Sequence, residues 1–564
     1  MNLKTILMGA AACALLTGPA FAQASTAPAG TPPPPPPMHK HHHHDMAPTT
    51  GSDRLDLLEK RLEEQAEEIH ELKAQLNGGA APSQVTSTQF EALQNQVYEQ
   101  TAATAAAAKT QGKVTFVTSE PAAHTKPRPM LSSPDGKWTW SPILDVMGDW
   151  ASYSKGQPLT GASTKDALKS SGENFRRAQI GFQGSLGGDF GYKFLVDFGG
   201  TNGDETYQGF AGAGTGASQY TTSTGAGSGP HIKEAWVSYK GFLDPFVFKV
   251  GAMPTPANLS DMTASDDLLF NERPSPAQLS RGLDADDGRE SVGFIGNGAW
   301  WNASIFMTGD TYGKAPLIAP QTTYGGGQEA VVGRAAFAPF YDPVTNFNVH
   351  LGGNFGYVIH PDESTSTASP GITSYPITFS DRPELRVDNV TYLNTGGINA
   401  TSAYSAGAEG AFSWGPFMVE GENFWYGVKR NNPAAGVTNP NFSGWYVEGS
   451  WVMTGEYHAY NMATASYMRP SPDHPFNPGN GDWGAWELAG RYSSTDLDYD
   501  VSSAVAGDRV FGGVQNIWSA GVNFYPNDVL KFMFDFQHVD VKNIGALNVD
   551  GQYDTVEVRT QVSF

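Results

Sequence analysis

The stretch Phe175–Gly200, FRRAQIGFQGSLGGDFGYKFLVDFGG, constrains the fold more than any other part of the chain. Ala178, Ile180, Phe182 and Leu186 fall on one face of an extended backbone, and Arg177, Gln179, Gln183 and Ser185 on the other. After Gly187-Gly188-Asp189-Phe190-Gly191 the alternation resumes, with Tyr192, Phe194, Val196 and Phe198 opposite Lys193, Leu195 and Asp197. Side chains alternate with period two along a strand, so the stretch reads as a hairpin with one apolar and one polar face. Two architectures accommodate it. A water-filled transmembrane barrel turns the apolar face to lipid, and a soluble β-sandwich turns it to a core.

The same alternation recurs at Phe246–Gly251, Trp300–Met307 and Lys531–Val539. In the last of these Phe532, Phe534 and Phe536 share a face, and Lys531, Met533, Asp535 and Gln537 the opposite one. The final run places Val556, Val558, Thr560, Val562 and Phe564 against Glu557, Arg559, Gln561 and Ser563. An amphipathic strand that closes on an aromatic is what an outer-membrane barrel presents. No run of 18 apolar residues occurs, so a helical span is not expected. A barrel needs none, because only alternate residues of each strand meet lipid. Glycine is abundant (65), aromatics make up 12%, and mean hydropathy is −0.35, which fits a membrane barrel or a secreted β protein. The net charge of −22 argues against a nucleic-acid partner. The single cysteine, Cys13, excludes a disulfide framework within the chain.

Read in order, residues 1–22 form a secretory signal, with Lys4 in the charged region, Ile6–Leu16 as the apolar core and Ala20-Phe21-Ala22 as the cleavage site. Residues 23–52 are a linker containing a polyproline rod, Pro32–Pro37, and the histidines His39, His41, His42, His43 and His44. That tract is either a metal-catching segment or a solvated linker. Residues 53–108 are read as a coiled-coil region. Leu55, Leu58, Leu62, Gln65, Ile69, Leu72 and Leu76 keep a 3-4 spacing, with a weaker echo at Phe90, Leu93 and Val97. Self-association is its natural use, and a lone amphipathic helix is the alternative. Residues 109–136, rich in proline, are expected to link it to a barrel over 137–564. At about 10 residues per strand plus connections, that region holds on the order of 16 strands. The expected class is therefore all-β: a transmembrane antiparallel β-barrel preceded by an α-helical coiled coil. Gly199–Pro230, Pro254–Glu290 and His360–Arg382 are its expected long loops.

Several segments of the barrel region, in order, resemble the phosphate-selective porin family, the outer-membrane porins O and P. They are Phe175–Ala178, Asp189–Phe194, Glu234–Phe242, Thr263–Ser265 with Glu272-Arg273, Phe337–Pro339, Gly415–Phe417, Met453–Glu456, Gly484–Leu488 and Gly521–Asn527. The resemblance implies a homotrimer of 16-stranded barrels in outer-membrane lipid, with the third loop folded inward to narrow the pore. It also implies passive passage of small ions and solutes such as phosphate, without enzyme chemistry, cofactor or metal. Arg176, Arg177, Ser265 and Arg273 match the family's central-site pattern. By strand parity Arg177 faces the lumen, whereas Arg176 falls on the lipid side. Where the family carries two loop lysines this chain has Asp261 and Asp266, a reversal of local charge. The pore is thus read as either anion-passing or general and cation-leaning. The N-terminal region is placed in the periplasm, where the coiled coil is a candidate tether to the cell wall.

The run Asp284, Asp286, Asp287, Gly288, Glu290 resembles the start of a calcium loop, but Ile295 stands where the bidentate glutamate belongs. It reads as a loose calcium site or as a solvated acidic loop. No G-x-x-x-x-G-K or G-x-S-x-G motif occurs. Trp138, Trp140, Trp150, Trp300, Trp301, Trp483, Trp486 and Trp518 suit an interfacial aromatic girdle.

Overall fold

The computed structural model describes residues 113–117, 128–155, 172–199, 231–311, 327–365, 373–387, 391–543 and 549–564. The expected signal, the Pro/His linker and the coiled coil at 53–108 lie outside the described residues, as does most of Gly199–Pro230.

Sixteen antiparallel strands close into one barrel. The first eight are β1 (Thr139–Lys155), β2 (Gly172–Leu186), β3 (Phe190–Asp197), β4 (His231–Leu243), β5 (Phe246–Ala252), β6 (Arg289–Asn297), β7 (Trp301–Thr311) and β8 (Glu329–Asp342). The second eight are β9 (Phe347–His360), β10 (Ile398–Trp414), β11 (Phe417–Arg430), β12 (Asn441–Val452), β13 (Ala485–Tyr499), β14 (Val510–Tyr525), β15 (Leu530–Asn543) and β16 (Val549–Ser563). Each pairs with its sequence neighbour. The ring closes where β16 pairs with β1, from Tyr553 opposite Lys155 to Ser563 opposite Asp145. Beyond that ladder Leu144 and Phe564 exchange both backbone hydrogen bonds, at 3.1 and 3.0 Å.

Burial is inverted relative to a soluble protein, and this decides between the two architectures. Phe532, Phe534 and Phe536 are 40–49% exposed, while Lys531 and Asp535 on the opposite face are 0% exposed. On β16 Glu557, Arg559, Gln561 and Ser563 are all buried. On β2 Ile180 and Phe182 are exposed, and Arg177 and Gln179 buried. Apolar side chains outside and polar ones inside are the arrangement lipid imposes. Most of the expected girdle tryptophans are exposed, including Trp138, Trp150, Trp300, Trp483 and Trp518. Several ring pairs line the end of the barrel that carries the short turns, such as Trp300 with Phe337 and Phe417 with Trp451.

The segment expected as a linker differs from its reading. Lys113–Val117 pairs with Arg128–Ser132, and Leu131 and Ser132 pair in turn with the start of β1. The prolines there argued for a linker, yet Pro129 sits in a narrow ribbon, where a missing N–H is tolerated.

Three connections occupy the lumen. The one between β5 and β6, residues 253–288, carries helices α1 (Leu259–Met262) and α2 (Ser275–Asp284). Between β9 and β10, the described residues 373–387 and 391–397 pack on α2, where Ser275 bonds Glu384 and Arg382, and Phe379 and Leu393 join the apolar cluster. Residues 453–484, between β12 and β13, enter from the opposite end. An arginine in place of outward-facing Phe534 is expected to destabilise the barrel by about 2–4 kcal/mol, whereas Leu in its place, which stays apolar, should cost far less. Equilibrium unfolding from lipid vesicles checks this.

Candidate pore constriction

The β5–β6 loop can lie inside the barrel because wall side chains pair its backbone. Buried peptide groups need partners, and here side chains of β11, β13, β14, β15 and β16 supply them. Glu422 of β11 accepts from the N–H groups of Leu259 and Ser260 at 3.1 and 3.0 Å. Asp535 of β15 accepts from Asn271 N at 2.8 Å, and Lys531 of the same strand donates to Leu268 O at 2.6 Å. Asn523 of β14, Gln561 of β16 and Arg491 of β13 donate to the carbonyls of Leu269, Asp266 and Glu272. The apolar face of α2 packs Ala277, Leu279 and Leu283 into a cluster with Phe379, Tyr426, Phe442 and Tyr446. From the other end Arg334 of β8 binds the carbonyls of Thr464 and Ala465, and Ser466 Oγ donates to Met262 O at 3.0 Å. The two inward segments therefore touch.

Glu272 is the electrostatic anchor of the loop. Its carboxylate meets Arg176 Nε at 2.6 Å, Arg559 Nη2 at 3.0 Å and Arg386 Nε at 3.6 Å. Arg559 in turn grips Asp149 through two 2.7 Å bonds. Burial alone would raise the Glu272 carboxyl, but Arg176, then Arg559 and Arg386, hold it well below the usual carboxylate range. The Arg176 side chain, only 12% exposed, belongs to this anchor and not to the lipid face. The correction has a simple cause. Met147 pairs with Arg177, but the next residue, Gly148, pairs with Phe175, so Arg176 is the extra residue of a β-bulge. A bulge resets parity, and both arginines point inward.

A cavity of about 630 Å³ runs along the β1–β7 side of the lumen. Arg177 (β2), Lys193 (β3), Lys233 (β4) and Lys249 (β5) line its wall, and Asp261, Ser265, Asp266, Arg273 and Arg281 line the loop side. The carboxylates that reverse the family's charge are largely occupied. Arg281 binds Asp261 at 2.6 Å, Asp287 at 2.5 Å and also Asp286, and Lys233 reaches Asp287 at 3.5 Å. Asp266 is buried. Within the acidic run 284–290, Asp286 and Asp287 are ion-paired at the constriction, Asp284 is buried and Glu290 is exposed. Arg273 donates to the carbonyls of Ser260, Asp261 and Thr263, at the carbonyl end of α1, so it clamps the loop while lining the cavity. Ser265 is half-buried on the cavity surface. Among the described residues Arg177 and Lys249 have no ion-pair partner. Lys249 Nζ lies 4.0 Å from the Trp236 ring centroid, and Lys193 bonds Glu234 at 2.7 Å.

Five of the six sequence-selected residues therefore share one cavity, and Arg176 stands behind it as an anchor. Lys193, Lys233, Lys249 and Arg281 were not selected. For Lys193 and Lys249 strand parity was the available signal; for Arg281 nothing in the sequence marks its three partners.

The model of the family described as phosphate-selective porin O and P matches residues 159–564. This chain belongs to that family. The porin is 23% identical to an uncharacterized protein of Caulobacter vibrioides over 467 residues, 80% of this chain and 82% of that protein. Among solved structures it is similar to Pseudomonas putida OprB, with 10% identity, coverage of 75% and 94% of the two chains and a TM-score of 0.43. It is also similar to an anion-selective porin from Comamonas acidovorans, with 11% identity, coverage of 76% and 100% and a TM-score of 0.42. Family and barrel together support an outer-membrane location and make this porin a channel rather than an enzyme.

Glu272→Gln leaves three arginines without their shared anion, and is expected to cost about 3–5 kcal/mol. The porin variant should show a lower Tm and a noisier, larger single-channel conductance as the loop loosens. Because the folded carboxyl sits below its free value of 4.5, its contribution is complete above that value and is lost as pH falls through the lower folded value. Conductance should accordingly be constant from neutral pH down to about 5 and become unsteady only in stronger acid.

Proposed function

We propose that this porin passes small anions by passive diffusion, and that it binds inorganic phosphate only weakly. One observation carries the reading. Three of the loop aspartates, Asp261, Asp286 and Asp287, are held by Arg281 and Lys233, whereas Arg177 and Lys249 face the cavity without an ion-pair partner among the described residues. In a narrow lumen of low dielectric, an uncompensated cation outweighs a paired one. Weak phosphate binding follows from the same inventory. A strong site needs several free cations around one point, and here most of the cations are committed to carboxylates or backbone carbonyls.

Reversal potential in a KCl gradient tests the proposal. The wild type should favour chloride, and Arg177→Gln and Lys249→Gln should each lower that preference roughly two- to threefold. Millimolar phosphate should reduce the current only slightly. A cation-favouring potential would overturn the proposal in favour of a general, cation-leaning pore governed by Asp261, Asp266 and Asp267.

We also propose a homotrimer with the N-terminal coiled coil in the periplasm, acting as a tether to the cell wall. The heptad spacing at residues 55–76 and the family supply the support. Deletion of residues 23–120 is expected to leave conductance unchanged while weakening the attachment of envelope to cell wall. Unchanged envelope integrity in the deletion strain would refute the tether alone.

A further inference from the structure

The wall of the cavity is chemically two-sided, and only one side suits an inorganic ion. Arg177, Lys193 and Lys249 supply positive charge. Between and opposite them, Leu195, Trp236, Ile295, Phe306, Met262 and Met468 bring hydrocarbon to the same cavity. Leu195 and Trp236 do so from lumen-facing strand positions, where barrel patterning calls for polar residues. A phosphate ion gains nothing from these groups, because they cannot replace its hydration shell. A solute with a hydrocarbon body does gain from them.

The arrangement around Trp236 is specific. Its indole N–H donates to Glu234 Oε2 at 2.8 Å, and Lys193 Nζ bonds the other oxygen of that carboxylate at 2.7 Å. Glu234 is thereby occupied, and the ring is fixed in orientation. Lys249 Nζ stands 4.0 Å from the ring centroid, with no carboxylate at ion-pair distance among the described residues. A carboxylate that paired with this ammonium would bring the rest of its molecule against the indole and the neighbouring aliphatic side chains. The cavity, at about 630 Å³, accepts such a molecule together with water.

We propose that Lys249 and Trp236 form a subsite for small amphipathic organic anions, aromatic carboxylates above all. The proposal rests on the anion-passing reading and names its solute class. Solute entering the cavity pairs its carboxylate with Lys249 and lays its apolar body on Trp236. It leaves readily, because one cation and one ring hold it.

Single-channel recording of the full-length porin tests the subsite, with benzoate, acetate and phosphate added at matched ionic strength. Benzoate should block at about one-tenth of the concentration that acetate or phosphate requires. Trp236→Leu should bring benzoate close to acetate. Lys249→Gln should weaken block by all three anions. Only inserted channels are recorded, so a folding defect cannot imitate loss of block, and Trp236→Tyr should restore most of the benzoate preference. Equal blocking by benzoate and acetate in the wild type would overturn the subsite, as would a benzoate preference that survives Trp236→Leu. If the wild-type channel favours cations, the anion reading itself falls. A chloride-favouring channel without benzoate preference removes the subsite alone.

Discussion

Lipid offers no partner to a peptide N–H or C=O, and the whole molecule is arranged around that constraint. Sixteen strands pair around the ring until β16 meets β1, leaving no barrel strand without two neighbours. The same accounting continues inside. Residues 253–288 have little regular structure of their own, so their backbone groups are paired by Glu422, Arg491, Asn523, Lys531, Asp535 and Gln561. Much of the polarity of the inner wall is therefore structural. It exists to accommodate a buried loop, and only a minority of it is available to a passing solute.

The charge balance follows the same division. Acidic residues outnumber basic ones across the chain, yet at the constriction several buried carboxylates have cations beside them. Arg281 gathers Asp261, Asp286 and Asp287, and Glu272 gathers Arg176, Arg386 and Arg559. Buried charges of this kind are costly to desolvate and stable only when paired. Net charge consequently says little about the pore. What matters is which ions are left without a partner, and among the described residues the cations Arg177 and Lys249 on the β2–β5 wall are two of them.

Much of this was legible in the sequence because a strand exposes its pattern directly. The alternation in Phe175–Gly200 and Lys531–Val539 assigns inside and outside correctly for Arg177, Gln179, Ile180, Phe534 and Asp535. The strand number followed from length, and the family from ordered short motifs. Arg176 was misassigned because a bulge shifts parity by one residue and leaves no mark in composition. Asp261 and Asp266 both line the cavity, but Arg281, the partner of Asp261, carries no mark in the sequence. Arg281 lies 20 residues from Asp261, and helix α2 alone brings them together. The path of the 453–484 segment into the lumen was likewise hidden, because short-turn connections carry no hydrophobic period to read.

The filling of the lumen is lopsided. Helix α2, the described residues of the β9–β10 connection and the 453–484 segment are braced by ion pairs and apolar clusters against β8–β16, while the cavity lies against β1–β7. Among the described residues, one half of the cylinder is thus filled, and the other encloses the cavity. A hollow wall bends more easily than a filled one. Sideways pressure from the surrounding bilayer would therefore be absorbed on the conducting side, making the cavity wall the part of the molecule most exposed to the mechanical state of the membrane.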